Sequence, residues 1–172
     1  METILNAIDL IKGKRDSLQK IISIGCPFEA FQLLALHIDF LGKLLHRLKP
    51  EVTTAWEKDK PDAKTCFDAV CTQLSSMAKY DKDILRDNLR NGMIHNEAPK
   101  PHLWLTHEDK QTLDQEDIVI NINDIYSDFR QACDDAIKML KTYEHSHPGS
   151  LASDKKFPRI ILKDLEQSRK RE

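Results

Sequence analysis

The stretch Phe28-Glu29-Ala30-Phe31-Gln32-Leu33-Leu34-Ala35-Leu36-His37-Ile38-Asp39-Phe40-Leu41-Gly42-Lys43-Leu44-Leu45-His46-Arg47-Leu48 decides the fold. Leu34, Ile38, Leu41, Leu45 and Leu48 recur at helical spacing and form one apolar stripe. Leu33, Phe40 and Leu44 form a second stripe beside it. A helix apolar on two faces is the central member of a bundle. A third line, Ala35, Asp39, Gly42 and His46, is small or polar. A close helix crossing or a solvent edge explains it; the alternative is that Asp39 or His37 faces an internal site.

Helices are expected on both sides. Residues 3–23 carry Ile4, Ile8, Ile11, Leu18 and Ile22 at helical spacing, with Thr3 or Glu2 at the start. Gly25-Cys26-Pro27 ends that helix and opens the next, since Gly suits a helix C-terminus and Pro a first turn. Pro50 closes the central helix, and residues 51–60 suggest one loose turn around Trp56. Pro61-Asp62 opens a third helix with Ala63, Phe67, Val70, Leu74 and Met77 on its face, broken at Tyr80-Asp81. Asp81 caps a fourth helix from Lys82, with Ile84, Leu85, Leu89, Met93 and Ile94, ending before Pro99-Lys100-Pro101.

The pattern then changes. Residues 102–106 and 117–121 alternate with period two or carry β-branched side chains, and a polar link of about ten residues joins them, which suggests a β-hairpin. Two strands alone are marginal, so the pair must lean on the helices. Residues 123–145 form the last core helix, capped by Asn123 or Asp124, with Ile125, Phe129, Ala132, Ala136, Leu140 and Tyr143 on one face. The expected architecture is mainly α, an up-and-down bundle of four to five helices. A small β-hairpin, about residues 102–121, is inserted before the last core helix. The bundle spans residues 1–147, and 148–172 form a loosely attached tail with a short helix after Pro158.

Composition narrows the function. The 172 residues are 40% hydrophobic and 31% charged, with only 5 Gly, which suits helices with solvated faces and argues against an all-β fold. A net charge of −2 removes bulk electrostatics as a route to nucleic acid, so any such role must come from a local site. No signal peptide and no apolar run of about 20 residues is evident, so a cytoplasmic protein without a membrane partner is expected. Cys26, Cys66, Cys71 and Cys133 form no Cys-x-x-Cys pair and suit buried thiols in a reducing compartment. His145 and His147 lack a spaced acidic or Cys partner and suit a solvated helix end; His102 and His107 make an equally weak metal case. No metal and no cofactor are expected, and Gly-rich phosphate loops and Ser-centred nucleophile elbows are lacking.

The chemically pointed run is Arg86-Asp87-Asn88-Leu89-Arg90-Asn91-Gly92-Met93-Ile94-His95-Asn96-Glu97. Asn91 and His95, four apart, share a helix face. Arg90 lies about 100° further round, but its long side chain can swing toward His95. Gly92 in a helix costs on the order of 1 kcal/mol against Ala, which suggests close approach of another backbone, a bend or a substrate. In a plainer account, Arg90 pairs with Asp87 or Glu97, and His95 caps a helix end.

Arg90-Asn91-x-x-x-His95, late in a helical bundle, resembles the signature of HEPN domains (higher eukaryotes and prokaryotes nucleotide-binding). The resemblance covers roughly residues 3–145 and leaves out the hairpin and the tail. It implies a metal-independent endoribonuclease of a toxin or phage-defence system, acting as a homodimer on RNA, with a possible antitoxin protein as partner. Arg90, His95 and Asn91 are the expected catalytic residues, Arg86 and Asn96 the expected substrate contacts, and Gly92 a structural residue where two helices meet. The chemistry suits them: His titrates near neutrality and serves as base or acid, and Arg presents a planar fork to phosphate oxygens. The alternative is a catalytically silent helical module that binds a protein, RNA or nucleotide, with Asp39 and His37 near a nucleotide site as a weaker variant.

Overall fold

The computed structural model describes residues 2–48, 61–92, 103–106 and 118–153. In order these form α1 (Glu2–Ser23), α2 (Pro27–Arg47), α3 (Ala63–Gln73), a 3-10 turn (Ser75–Met77) and α4 (Lys82–Ile84). α4 passes directly into a π-helical segment, Leu85–Arg90. Then follow β1 (Leu103–Thr106), β2 (Ile118–Asn121), α5 (Ile122–Ser146) and the short α6 (Ser150–Ser153).

The turn between α1 and α2 follows from its residues. Gly25 adopts φ 77°, open to glycine and strained for other residues. Its N–H donates to the Ile22 carbonyl at 3.0 Å and that of Cys26 to the Ile21 carbonyl at 3.3 Å, a left-handed C-terminal cap. Pro27 then occupies the first turn of α2, where a missing N–H leaves no helical bond unmade.

α2 is the central helix, as its two stripes require. It packs against α1, α3, α5 and the π-helical segment. Phe31, Leu34, Ile38, Leu41 and Leu45 are fully enclosed, and Phe40 and Leu44 of the second stripe are buried too. They meet Ile8, Ile11 and Leu18 of α1, Phe67 and Val70 of α3, and Ile125, Phe129, Ala132, Ala136 and Leu140 of α5 in one core. Each large apolar side chain buried this way contributes about 1.5–3 kcal/mol. The small third line is a crossing: a Cβ on Gly42 would run into the Cys66 carbonyl group of α3.

Three expectations change. The third helix stops at Gln73, because Leu74 turns extended (φ −112°, ψ 112°) before the 3-10 turn. Ser75 and Ser76 favour such non-helical local bonding, while the three-residue step keeps Leu74 and Met77 on one buried side. The two strands are not a hairpin: β1 and β2 run parallel, with Leu103 opposite Ile118 and Thr106 opposite Asn121. The eleven residues between them are long enough to bring the chain back to the starting end, which a tight turn cannot do. The pair leans on α5, with Ile120 buried. The cap of α5 is Asn121, not Asn123 or Asp124: its side chain accepts the Asn123 N–H at 2.8 Å and the Asp124 N–H at 3.4 Å.

Past the expected boundary at 147, α6 packs against α1 and buries Leu151. The turn around Trp56, the end of the fourth helix at Pro99-Lys100-Pro101 and the helix after Pro158 lie outside the described residues. Among the described residues no helix is long and apolar enough to cross a membrane.

Candidate functional site on the fourth helix

Asp81 starts the helix that carries the site. Its carboxylate accepts the N–H groups of Asp83 at 2.8 Å and Ile84 at 3.0 Å. Leu85 and Leu89 are buried in the core and hold the segment against the bundle. Between them the winding loosens: the Asn91 N–H donates to the Arg86 carbonyl, five residues back. Such π turns are rare and frequent at functional sites.

This segment carries a chain of side-chain hydrogen bonds. Arg86 forks onto Asp87, with Nε donating to Oδ1 at 2.8 Å and an Nη2 donating to Oδ2 at 2.7 Å. Arg86 Nη1 lies 2.9 Å from Asp83 Oδ1. The same Asp87 Oδ1 accepts from Asn91 Nδ2 at 3.3 Å. Asn91 Oδ1 in turn accepts from Arg90 Nη1 at 2.8 Å. The hydrogen bonds that Arg86 donates to Asp87 hold its guanidinium even more firmly protonated than usual, and the charges of Asp83 and Asp68 add to this. Asp62 of the α3 cap is lowered chiefly by its bonds from Thr65, with a smaller pull from Arg86.

The structure therefore joins Arg86, Arg90 and Asn91, and adds two residues that sequence reasoning did not place in the site, Asp83 and Asp87. Their spacing was visible, since Asp83, Arg86, Asp87, Arg90 and Asn91 fall three or four apart on one helix. Partner choice was not: Asp87 takes the Arg86 fork and the Asn91 amide, and Arg90 reaches the Asn91 oxygen. Arg86, expected on substrate, has its charge engaged by two carboxylates. Asn91, expected to orient His95 or hold phosphate, uses its oxygen on Arg90 and its nitrogen on Asp87. Gly92 is buried in the chain. His95 and Asn96 lie outside the described residues.

The other candidates resolve into structure. His37 is buried and stacks on Phe129 with ring centroids 6.2 Å apart. Asp39 pairs with Lys43 one turn on. Cys66, Cys71 and Cys133 are buried free thiols, and burial pushes them up to about 12, 11 and 12 respectively. His147 stacks on Tyr143 at 4.7 Å, closing the end of α5. Among the described residues no group of three or more His, Cys, Asp or Glu is placed to hold a metal.

Comparison with protein-family models, curated proteins and solved structures gives no match.

Proposed function

We propose that this protein is a metal-independent endoribonuclease whose site combines Arg90 and His95 from two copies of the chain. One observation carries the reading: the Arg90 guanidinium is held by Asn91 on a π-helical turn, five residues before His95. Cleavage through the 2′-hydroxyl requires a fixed cation and a group that moves protons near neutral pH. The 2′-oxygen bonds to phosphorus as a base takes its proton. The bond from phosphorus to the 5′-oxygen breaks as an acid protonates the leaving oxygen. Arg90 stabilises the charge on the phosphorane oxygens, and His95 moves the proton. One histidine cannot easily be base and acid in a single step, so a two-fold dimer supplies the second.

The test is purified full-length protein on structured RNA in EDTA. Wild type cleaves; His95→Ala and Arg90→Ala each lose roughly 100-fold or more. Intact RNA with wild type overturns the reading, and a monomer by light scattering overturns its two-chain form. A second reading, a silent helical module that binds a partner, draws on the Asp83 and Asp87 carboxylates that balance Arg86. It predicts partner binding that Arg90→Ala abolishes, with no cleavage.

A further inference from the structure

We infer that Asp87 is a positioning residue that sets the Arg90 guanidinium through Asn91. The inference rests on the ribonuclease reading for its effect on catalysis, and on geometry alone for the relay itself.

A side-chain amide has one donor end and one acceptor end, so its neighbours decide which way it faces. Asp87 is a carboxylate and offers only acceptors; Arg90 offers only donors. Asn91 lies between them, its Nδ2 on Asp87 Oδ1 at 3.3 Å and its Oδ1 on Arg90 Nη1 at 2.8 Å. The order acceptor, amide, donor sets the orientation of Asn91, which turns its oxygen to Arg90 Nη1. Asp87 is fixed in its turn by the two parallel bonds from Arg86, a geometry that aligns both planes. Arg86, drawn to Asp83 as well, acts as a clamp on Asp87. The π turn helps by placing Asp87, Arg90 and Asn91 on consecutive contacts while Leu85 and Leu89 stay buried.

Two consequences follow for substitutions. Asp87→Asn keeps shape but gives position 87 a donor, so the amide of Asn91 loses its fixed sense. Asn91→Asp sets a carboxylate against Asp87 and breaks the relay from the middle.

The experiment is a double-substitution cycle with two readouts. In RNA cleavage, Asp87→Asn and Asn91→Ala each lower kcat/KM by roughly ten- to a hundredfold through misplacement of Arg90. The double variant is no worse than Asn91→Ala alone, because the path from 87 to 90 is already cut. The second readout needs no activity: the Arg90 Nε–Hε signal in a nitrogen-15 spectrum moves on Asp87→Asn in the wild-type background and stays put in the Asn91→Ala background. Multiplicative losses, or an Arg90 signal that Asp87→Asn leaves unmoved or moves equally without Asn91, overturn the relay. If wild type leaves RNA intact, the ribonuclease reading falls and the spectrum alone decides the relay. Should Asp87→Asn fail to fold, Asp87→Glu displaces the carboxylate with its charge kept and must shift the same signal.

Discussion

Gly42 of α2 faces the backbone carbonyl of Cys66 in α3, with no room between them for a Cβ. Mid-helix Gly→Ala normally gains up to about 1 kcal/mol. Here the obstacle is backbone, and overpacking costs about 1–3 kcal/mol or more. The clash wins. A backbone clash at the upper end of that cost leaves a net loss of about 1–2 kcal/mol, so Gly42→Ala lowers the Tm by roughly 2–8 °C, read by thermal denaturation at about 2–4 °C per kcal/mol for a chain this size. An unchanged or raised Tm contradicts the crossing.

The helix caps carry a pH dependence. Bonds from Thr65 lower the Asp62 carboxyl below its ordinary value. A lowered folded value means that the contribution is present above about pH 4 and fades as pH falls through the folded value. Asp62→Ala costs about 0.5–2 kcal/mol at neutral pH and less in acid. Denaturant titrations at pH 7 and pH 3 measure the difference, which must shrink at the lower pH.

Thiol reactivity separates the four cysteines. Cys66, Cys71 and Cys133 are buried, and burial keeps them as thiols at physiological pH. Cys26, at the helix corner, is half-buried. A chromogenic disulfide reagent should label one thiol per native chain, lost in Cys26→Ser, and four only after unfolding. Fast labelling of a second thiol in the native state contradicts the packing.

Tyr80 ties the turn before α4 to α5. Its hydroxyl donates to Asp128 Oδ2, to which Lys79 also pairs at 2.7 Å. Burial first, and this hydrogen bond second, raise the Tyr80 phenol. A raised folded value gives stability present below about pH 10 and lost as pH climbs above it. Tyr80→Phe removes about 1–2 kcal/mol at neutral pH. It also flattens the alkaline end of the stability profile, measured by urea unfolding between pH 7 and pH 11.

Much of the bundle was legible because α2 carries two apolar stripes, and no other placement buries both. The turn at Gly25 and the cap at Asp81 were legible because few residues satisfy those positions. Strand direction was not. Period-two alternation marks a strand but not its sense, and a link as long as residues 107–117 suits either. The end of α3 was hidden because Leu74 and Met77 keep the helical period while the backbone leaves it. At the site, Arg90 and Asn91 stood out, but Asp87 entered only as an ion-pair partner of Arg90 in the plainer account. Its bonds to Arg86 and Asn91 depend on side-chain rotamers and on a π winding that the spacing of Leu85 and Leu89 does not betray.

That winding has a consequence for comparing sequences. A turn closed between Arg86 and Asn91 encloses one residue more than an ordinary α turn. Set beside a plain α helix, such a turn takes up one extra residue between Leu85 and Arg90. Alignments that place no gap there match Asn91 and everything after it to the wrong neighbours, turned about 100° round the axis. Removing one residue from 86–89 would restore even winding and leave Asn91 and Gly92 facing as they do now.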